Sequence, residues 1–347
     1  MAIGLDAYRY RFDDPDLYGL IIDADEGPIG ARALPGALAQ HIQLSAGVFP
    51  RVHDVLAGAT ATLGLEISWA GFLYASPEAQ ASVLREPDGR FLIFVSSRLV
   101  ELLSHDELRF VIGHEFGHAF FGHHAYPRAS EGEPDECLLE LSRAAELSAD
   151  RIGVVCCASV GDAMRAIAKT ASGLGDEHLE LDLVEYLRQG AALKSEPDAN
   201  LAWSTHPPLI LRARAALRFE SILHGARAGD DVTERLSDLD DEVFHEMDLA
   251  THGQAGSQVA RDAAFWTIVS RACSDGHLDH AEQERMVAAF GTDRVDALRR
   301  MLEGETREGA LALIEERLAR THADLVDASV ASKRRFDELV GQFRTIG

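Results

Sequence analysis

The sequence predicts an α+β protein that is mostly helical, with a small β-sheet in its N-terminal part and an all-α domain at its C-terminal end. Two runs of β-branched and aromatic residues, 67–74 and 91–95, predict strands on either side of Pro77. Amphipathic patterns with helical spacing surround these runs, and from about residue 259 the pattern is helical throughout. The chain has 347 residues, which is enough for two ordinary domains.

The amino-acid composition of the chain limits the kinds of partner that it can bind. The chain carries 57 acidic against 33 basic side chains, a formal net charge of −24. Such a surface repels phosphate backbones, so we expect no nucleic-acid partner. No apolar stretch approaches the roughly 18–20 residues that span a membrane, and we expect neither an integral membrane segment nor a signal peptide. The chain has four cysteines, two of them adjacent, which is typical of a reduced, cytoplasmic protein.

Helices flank the predicted sheet on both sides. Residues 49–63 have apolar positions at helical spacing, and Gly64 is placed to end that helix. Ser104 and Glu107 fit a capping box, in which each side chain binds the backbone amide of the other residue, so a helix is expected to begin there. A second helix is expected from about residue 138 to residue 152.

The helix that follows Ser104 contains the pattern H-E-x-x-H. Residues four apart lie on one helix face, so His114 and His118 can reach a single ion. Glu115 lies beside the first histidine and could act on a metal-bound water as a general base. The alternative is that these are two histidines on an ordinary amphipathic helix. His123 and His124, just beyond, are expected to be loop residues at the helix end.

The second helix carries a carboxylate pair with the same spacing. Glu146 and Asp150 share a face among apolar neighbours, where two carboxylates would be costly to bury without a positive partner. We therefore predict Glu146 as the third protein ligand of one Zn²⁺, and Asp150 as the acceptor that orients a histidine ring. The alternative is a solvated helix face that pairs with nearby arginines.

These motifs resemble those of the gluzincin peptidases of the HtpX and CAAX prenyl protease type. A third match is the segment Thr-His-Pro-Pro around His206, with Arg212 six residues after the histidine. The resemblance covers roughly residues 30–220. It implies a zincin fold, zinc-dependent endopeptidase activity on a protein or peptide substrate, and a role for His206 in stabilising the transition state. Many of these relatives carry transmembrane helices, which we do not expect here.

We expect the substrate to lie extended along an edge strand. The run 91–95, just before the helix with the two histidines, is the predicted edge, with Phe91, Ile93 and Val95 as contact residues. The domain order predicted is a zinc metallopeptidase domain over 1–225, an acidic linker over 226–256 and an all-α domain over 257–347.

The C-terminal domain resembles the helical TerB-like domains of tellurite resistance. The resemblance depends on the short pattern Asp275-Gly276 followed by Glu282, and it implies an appended module that binds a partner protein. The alternative for this segment is a simple turn between helices at Gly276. For the whole chain, two alternatives remain: a zinc-stabilised scaffold whose site is plugged, for instance by His206, and a zinc hydrolase that acts on something other than peptides.

Overall fold

The computed structural model describes residues 4–14, 33–126, 136–196, 198–272, 280–326, 328 and 330–344. It divides into two compact units. The first comprises Met1–Leu193 with Asn200–Met247, and the second Lys194–Ala199 with Asp248–Gly347. The described chain is mostly helical and has one small sheet, which confirms the predicted α+β fold class.

The sheet has four strands in the order β1-β2-β4-β3. The strands are β1 Ile42–Gln43, β2 Trp69–Tyr74, β3 Ala81–Arg85 and β4 Phe91–Ser96. The two predicted strands pair in parallel, with Gly71 opposite Ile93. The chain reaches β4 through β3, a strand that the sequence analysis missed and that pairs with β4 in antiparallel register.

The strand predicted as the sheet edge is therefore central. β4 has β2 on one side and β3 on the other, and Phe91, Ile93 and Val95 are all buried. The prediction that these three residues contact substrate along an edge was wrong. β3 is the outer strand on that side of the sheet, because within the described residues it pairs with β4 alone.

Helices make up the rest of the first unit. They include α1 Ala33–Gln40, α2 Pro50–Leu63, α3 Ser97–Leu102, α4 His105–Phe121, α5 Glu136–Cys156, α6 Val160–Ser172, most of α7 Leu183–Ser195, α8 Leu209–Ala228 and the part of α9 Thr233–Ala272 up to Met247, with 3₁₀ turns at Leu5–Tyr8 and His123–Ala125. Gly64 ends α2 in the left-handed conformation, as expected of a C-terminal cap. α4 begins with the predicted capping box of Ser104 and Glu107.

Glycines let α4 and α5 approach each other closely. A Cβ on Gly117 would lie 2.8 Å from the Cα of Ala149, and one on Gly113 would lie 2.7 Å from the Cβ of Cys156. On the α5 side, a Cβ on Gly153 would meet the carbonyl oxygen of Phe110 at 2.8 Å. This close contact brings the histidine-bearing face of α4 against the carboxylate-bearing face of α5.

The segment expected to be a linker is largely helical. α8 continues to residue 228 and α9 begins at residue 233, so only a short connection separates them. Apolar side chains at helical spacing explain this, because Leu236, Leu239 and Val243 are all buried. Three of the acidic residues that suggested a linker pair with cations: Asp240 with Arg151 in a buried ion pair, Asp241 with Arg11, and Glu242 with Arg218.

The second unit contains only helices in its described part. After α9 these are α10 His280–Phe290, α11 Thr292–Leu302, α12 Arg307–Val326 and α13 Val330–Arg344. They enclose an apolar core that includes Phe265, Met286 and Ile314. Asp275 and Gly276, on which the TerB-like resemblance depends, lie outside the described residues, and that resemblance stays a prediction.

Within the described ranges, no helix is both long enough and apolar enough to cross a bilayer.

Candidate metal centre

Two helices bring the candidate ligands together. His114 and His118 project from one face of α4, and Glu146 projects towards them from α5. One ligand atom from each of these three residues lies within 4.8 Å of the others, and no other such group was found among the described residues. The structure thus assembles the three residues that the sequence predicted as ligands, although they come from segments about thirty positions apart.

The spacing of these atoms suits zinc. Zinc binds nitrogen and oxygen at 2.0–2.1 Å in tetrahedral geometry, so two of its ligand atoms lie about 3.3 Å apart. The Nε2 atoms of His114 and His118 are 3.0 Å apart. The carboxylate of Glu146 lies 3.5 Å from the first of these atoms and 3.4 Å from the second. A shared ion therefore fits between the three side chains.

The far side of the His114 ring is held by a carboxylate and an arginine. Its Nδ1 lies 2.9 Å from Oδ1 of Asp150. Arg212 from α8 donates to both oxygens of Asp150, with Nε to Oδ2 and Nη2 to Oδ1 both 2.7 Å. The same guanidinium lies 3.4 Å from Glu146. This arrangement places Nδ1–H of His114 against an acceptor and leaves the Nε2 lone pair for a metal.

Charge in this cluster favours ionised carboxylates. Burial would raise the pKa of Glu146, but His118, His114 and Arg212 hold that pKa well below its usual range. Burial opposes ionisation of Asp150 as well, and its contacts with Arg212 and His114 keep its pKa below the ordinary value. These carboxylates in turn raise the pKa of Arg212 against the opposing effect of burial. The centre therefore offers anionic oxygen beside two imidazoles, a donor set that suits Zn²⁺.

The far side of the His118 ring has different partners. Its Nδ1 lies 2.7 Å from Nδ1 of His123, and Nε2 of His123 lies 2.6 Å from Oδ2 of Asp13. His123 is in the 3₁₀ turn after α4, as expected of a residue at the helix end, but its side chain is only 5% exposed. Burial is the main reason why the pKa of His123 is lowered, so its neutral form is favoured.

Glu115 is buried on α4 next to His114. Its charge acts on groups around the candidate metal position. It contributes to raising the pKa of Tyr74, where burial is the larger cause, and it helps to raise the pKa of His118. Glu115 therefore acts electrostatically on the candidate ligand His118 without being one of the three clustered ligands.

His206 lies at the exposed side of the centre. Its side chain is 60% exposed, and its Nε2 is 3.4 Å from Oε1 of Glu146. Its Nδ1 contacts the hydroxyl of Thr205 at 2.8 Å. The loop is fixed by Ser204, whose hydroxyl donates to the carbonyl of His206 and whose own carbonyl accepts from Arg143. His206 is outside the group of three clustered ligand atoms.

Sequence reasoning missed Asp13 and His123. A weak signal for His123 was its position five residues after His118, just beyond the helix end. Asp13 carried no signal, because it lies more than a hundred positions away in a segment without a motif.

The comparisons with known proteins agree with this geometry. The model of Peptidase family M48 matches residues 50–134 and 132–220. Plastoglobule-localized metallopeptidase 48 of Arabidopsis thaliana, a chloroplast protein, is 26% identical over 265 residues, which cover 64% of this chain and 76% of the relative. No solved structure matches the chain. Over residues 50–220, the chain is therefore similar to the metallopeptidases of family M48.

Proposed function

We propose that the chain is a zinc-dependent endopeptidase with His114, His118 and Glu146 as metal ligands. The observation that carries this proposal is the convergence of the two histidine Nε2 atoms, 3.0 Å apart, with the Glu146 carboxylate, whose two oxygens lie 3.4 Å and 3.5 Å from them. The match to family M48 supports peptidase chemistry at a site of this kind. The proposal specifies one Zn²⁺ per chain, because the two imidazoles and one carboxylate leave an open fourth position.

The chain's own residues divide the chemistry between them. Zinc, when bound, supplies Lewis acidity for the scissile carbonyl and for the attacking water. Glu115 takes the proton from that water and delivers it to the leaving amine nitrogen. His206, on the exposed side of the centre, is placed to donate to the oxyanion that develops on the substrate carbonyl.

We propose β3 as the strand beside which a peptide substrate lies. β3 packs against α4 and against the 3₁₀ turn that follows it. Within the described residues it pairs only with β4, so its outer edge is free to accept an extended peptide. Ser82, Leu84 and Arg85 are exposed, which leaves their surface accessible to a substrate.

In one form of the plugged-scaffold alternative, His206 occupies the fourth coordination position. His206 is largely exposed and lies outside the clustered ligand atoms, which favours the open site. A cytoplasmic location and a partner protein for the helical C-terminal unit remain predictions from the sequence. The name of the plant relative assigns that protein to plastoglobules.

Replacing Glu115 by Gln tests the proposed function. The amide keeps the size of the side chain but cannot accept a proton, so peptide hydrolysis should fall by at least a factor of about 10²–10⁴. Zinc content should stay at one equivalent, because Glu115 is not among the clustered ligands. Casein or an unstructured peptide serves as substrate, and zinc is measured on the same sample.

Glu101→Gln is the matched control, because Glu101 lies on the surface of α3. This variant should keep both zinc and activity. Hydrolysis that survives in Glu115→Gln would rule out Glu115 as the base. A wild-type protein that binds no zinc would contradict the whole proposal, whereas bound zinc without hydrolysis would favour the plugged site.

A further inference from the structure

The two candidate histidine ligands share the metal side of the centre, but their Nδ1 atoms, on the opposite side of each ring, have different partners. The Nδ1 atom of His118 begins a hydrogen-bonded series that runs through two buried side chains. His123 contacts it at 2.7 Å and is in turn 2.6 Å from Asp13, whose side chain is 0% exposed. Asp13 belongs to the N-terminal segment, defined here as residues 4–14, which lies outside the region that matches family M48.

One arrangement of protons satisfies every contact in this series. A metal ligand must present the lone pair of Nε2, so Nδ1 of His118 carries the proton and donates to Nδ1 of His123. His123 then carries its proton on Nε2 and donates to the carboxylate of Asp13. The ionised carboxylate of Asp13 can only accept hydrogen bonds. It therefore fixes the direction of both hydrogen bonds, from His118 to His123 and from His123 to Asp13.

Asp13 is itself held in place by other groups. Its second oxygen, Oδ1, accepts from the hydroxyl of Tyr126 at 2.7 Å. Arg9 donates to the backbone carbonyl of Asp13 at 2.9 Å and to the Tyr126 hydroxyl at 3.2 Å. The guanidinium of Arg9 also lies over the ring of Phe121, 4.6 Å from its centroid. These contacts attach the N-terminal segment to the C-terminal end of α4.

We propose that Asp13 is a positioning residue of the metal centre, which acts through His123 to fix the ring orientation and the tautomer of His118. The inference rests on the proposed function, because it assumes that His118 binds zinc. It adds that the N-terminal segment is part of the site. Partners behind a metal-binding histidine commonly contribute a factor of about 10–100 to metal affinity.

Asp13→Asn tests the inference in the full-length chain. An amide at this position can turn its NH₂ towards His123 and favour the tautomer with the proton on Nδ1. That proton would then face the Nδ1–H of His118, so the ring could no longer be held as a ligand. The dissociation constant for zinc, measured by competition with a chelator, should rise by about 10–100-fold.

Tyr126→Phe is the matched control. It removes the other hydrogen bond to the same carboxylate but leaves the contact between Asp13 and His123 intact. If the N-terminal segment acts only by packing, both variants should weaken zinc binding alike. Because the Tyr126 hydroxyl helps to hold Asp13 but does not itself hydrogen-bond to His123, we predict that the zinc dissociation constant rises less in Tyr126→Phe than the 10–100-fold expected for Asp13→Asn.

His123 provides a rescue experiment that does not depend on how Asp13→Asn folds. His123→Leu removes the acceptor for His118, whereas His123→Asn keeps an acceptor oxygen near the position of Nδ1. We expect His123→Leu to bind zinc at least tenfold more weakly than the wild type, and His123→Asn to recover part of that loss. Circular dichroism of the metal-free proteins checks that both fold.

The outcomes separate this inference from the proposed function. If the wild type binds no zinc, both are wrong. If the wild type binds zinc tightly and Asp13→Asn and His123→Leu bind it equally tightly, the inference is overturned and the proposed function stands. Weaker zinc binding in these two variants, with a smaller loss in Tyr126→Phe and a partial recovery in His123→Asn, supports the inference.

Discussion

His114 and His118 lie one turn apart on the same helix, but different parts of the chain hold them from behind. His114 is backed by Asp150 and Arg212, which come from helices within the region that matches family M48. His118 is backed by His123 and Asp13, a turn residue and a residue of the N-terminal segment. The Nδ1 atom of His114 therefore contacts a carboxylate that is paired with an arginine. The Nδ1 atom of His118 contacts a neutral imidazole, which in turn contacts a carboxylate.

The difference shows that one chemical requirement can be met in two ways. Both arrangements place an acceptor at Nδ1 and leave Nε2 free for a metal. The backing of His114 depends on a buried ion pair, whose loss leaves an uncompensated charge. The backing of His118 depends on a hydrogen-bonded chain, whose effect is on orientation. We therefore expect that disrupting the ion pair beside His114 mainly lowers the free energy of unfolding. Disrupting the hydrogen bonds beside His118 should mainly weaken metal binding.

The largest effect should come from Arg212→Leu. This change leaves the buried carboxylates of Asp150 and Glu146 without their shared cation, so the free energy of unfolding should fall by about 3–5 kcal/mol. Denaturant unfolding of the metal-free protein measures it. Arg214→Leu on the same helix is the control, because its partner Glu246 also lies near Arg218 and keeps a cation. Equal losses in both variants would contradict the special role of Arg212.

A smaller effect is expected from Gly117→Ala, which pushes α4 and α5 apart. The new methyl group would lie 2.8 Å from the Cα of Ala149, so the helices must separate and the free energy of unfolding should fall by about 2 kcal/mol. Zinc binding should weaken too, because the histidines and Glu146 lie on opposite helices. The denaturation midpoint and a chelator competition measure the two effects.

Gly58→Ala is the matched control for that change. Gly58 lies within α2 and a Cβ there would meet nothing within 4 Å. The substitution should therefore leave zinc binding unchanged and stabilise the helix by up to about 1 kcal/mol. If Gly117→Ala behaves in the same way, the close approach of α4 and α5 does not govern the site.

The smallest effect concerns Glu107, at the opposite end of α4 from His118. This carboxylate is buried and contacts Lys169 at 2.7 Å and Arg165 at 3.0 Å. Burial alone would raise its pKa, but these contacts and the Ser104 amide keep the pKa below the ordinary value. Replacing Glu107 therefore tests whether a buried carboxylate and its cations stabilise this fold in a place without a metal.

The sign of the pH dependence follows from that shift. The unfolded chain, with an ordinary glutamate pKa of about 4.3, takes up a proton before the folded protein does. The stabilisation by Glu107 is thus present above that pKa and is lost as the pH falls through the lower pKa of the folded state. Unfolding midpoints between neutral and acidic pH should fall more steeply for the wild type than for Glu107→Gln. Parallel curves would exclude this contribution.

Much of the metal centre could be predicted from local spacing. A helix repeats every 3.6 residues, so the four-residue spacings of His114 with His118 and of Glu146 with Asp150 place each pair on one face. The structure brings these pairs together, and the capping box at Ser104 was also confirmed. Such features depend only on neighbours along one helix.

The features that sequence reasoning missed depend on distant parts of the chain. Asp13 reaches His123 from 110 positions away, and no local pattern encodes that contact. The edge strand was misassigned because β3, a short strand with three of its five residues exposed, pairs with β4 across the turn at Gly89. The acidic linker proved helical because its apolar residues, and not its charges, determine its structure.

X-ray absorption at the zinc edge, on the 347-residue chain with one equivalent of zinc, identifies the metal ligands directly. We predict four nitrogen or oxygen ligands at about 2.0–2.1 Å, two of them imidazoles, which corresponds to His114, His118, Glu146 and a water. Sulfur at about 2.3 Å would contradict the ligand set. A third imidazole would contradict the open site and would indicate that His206 plugs it.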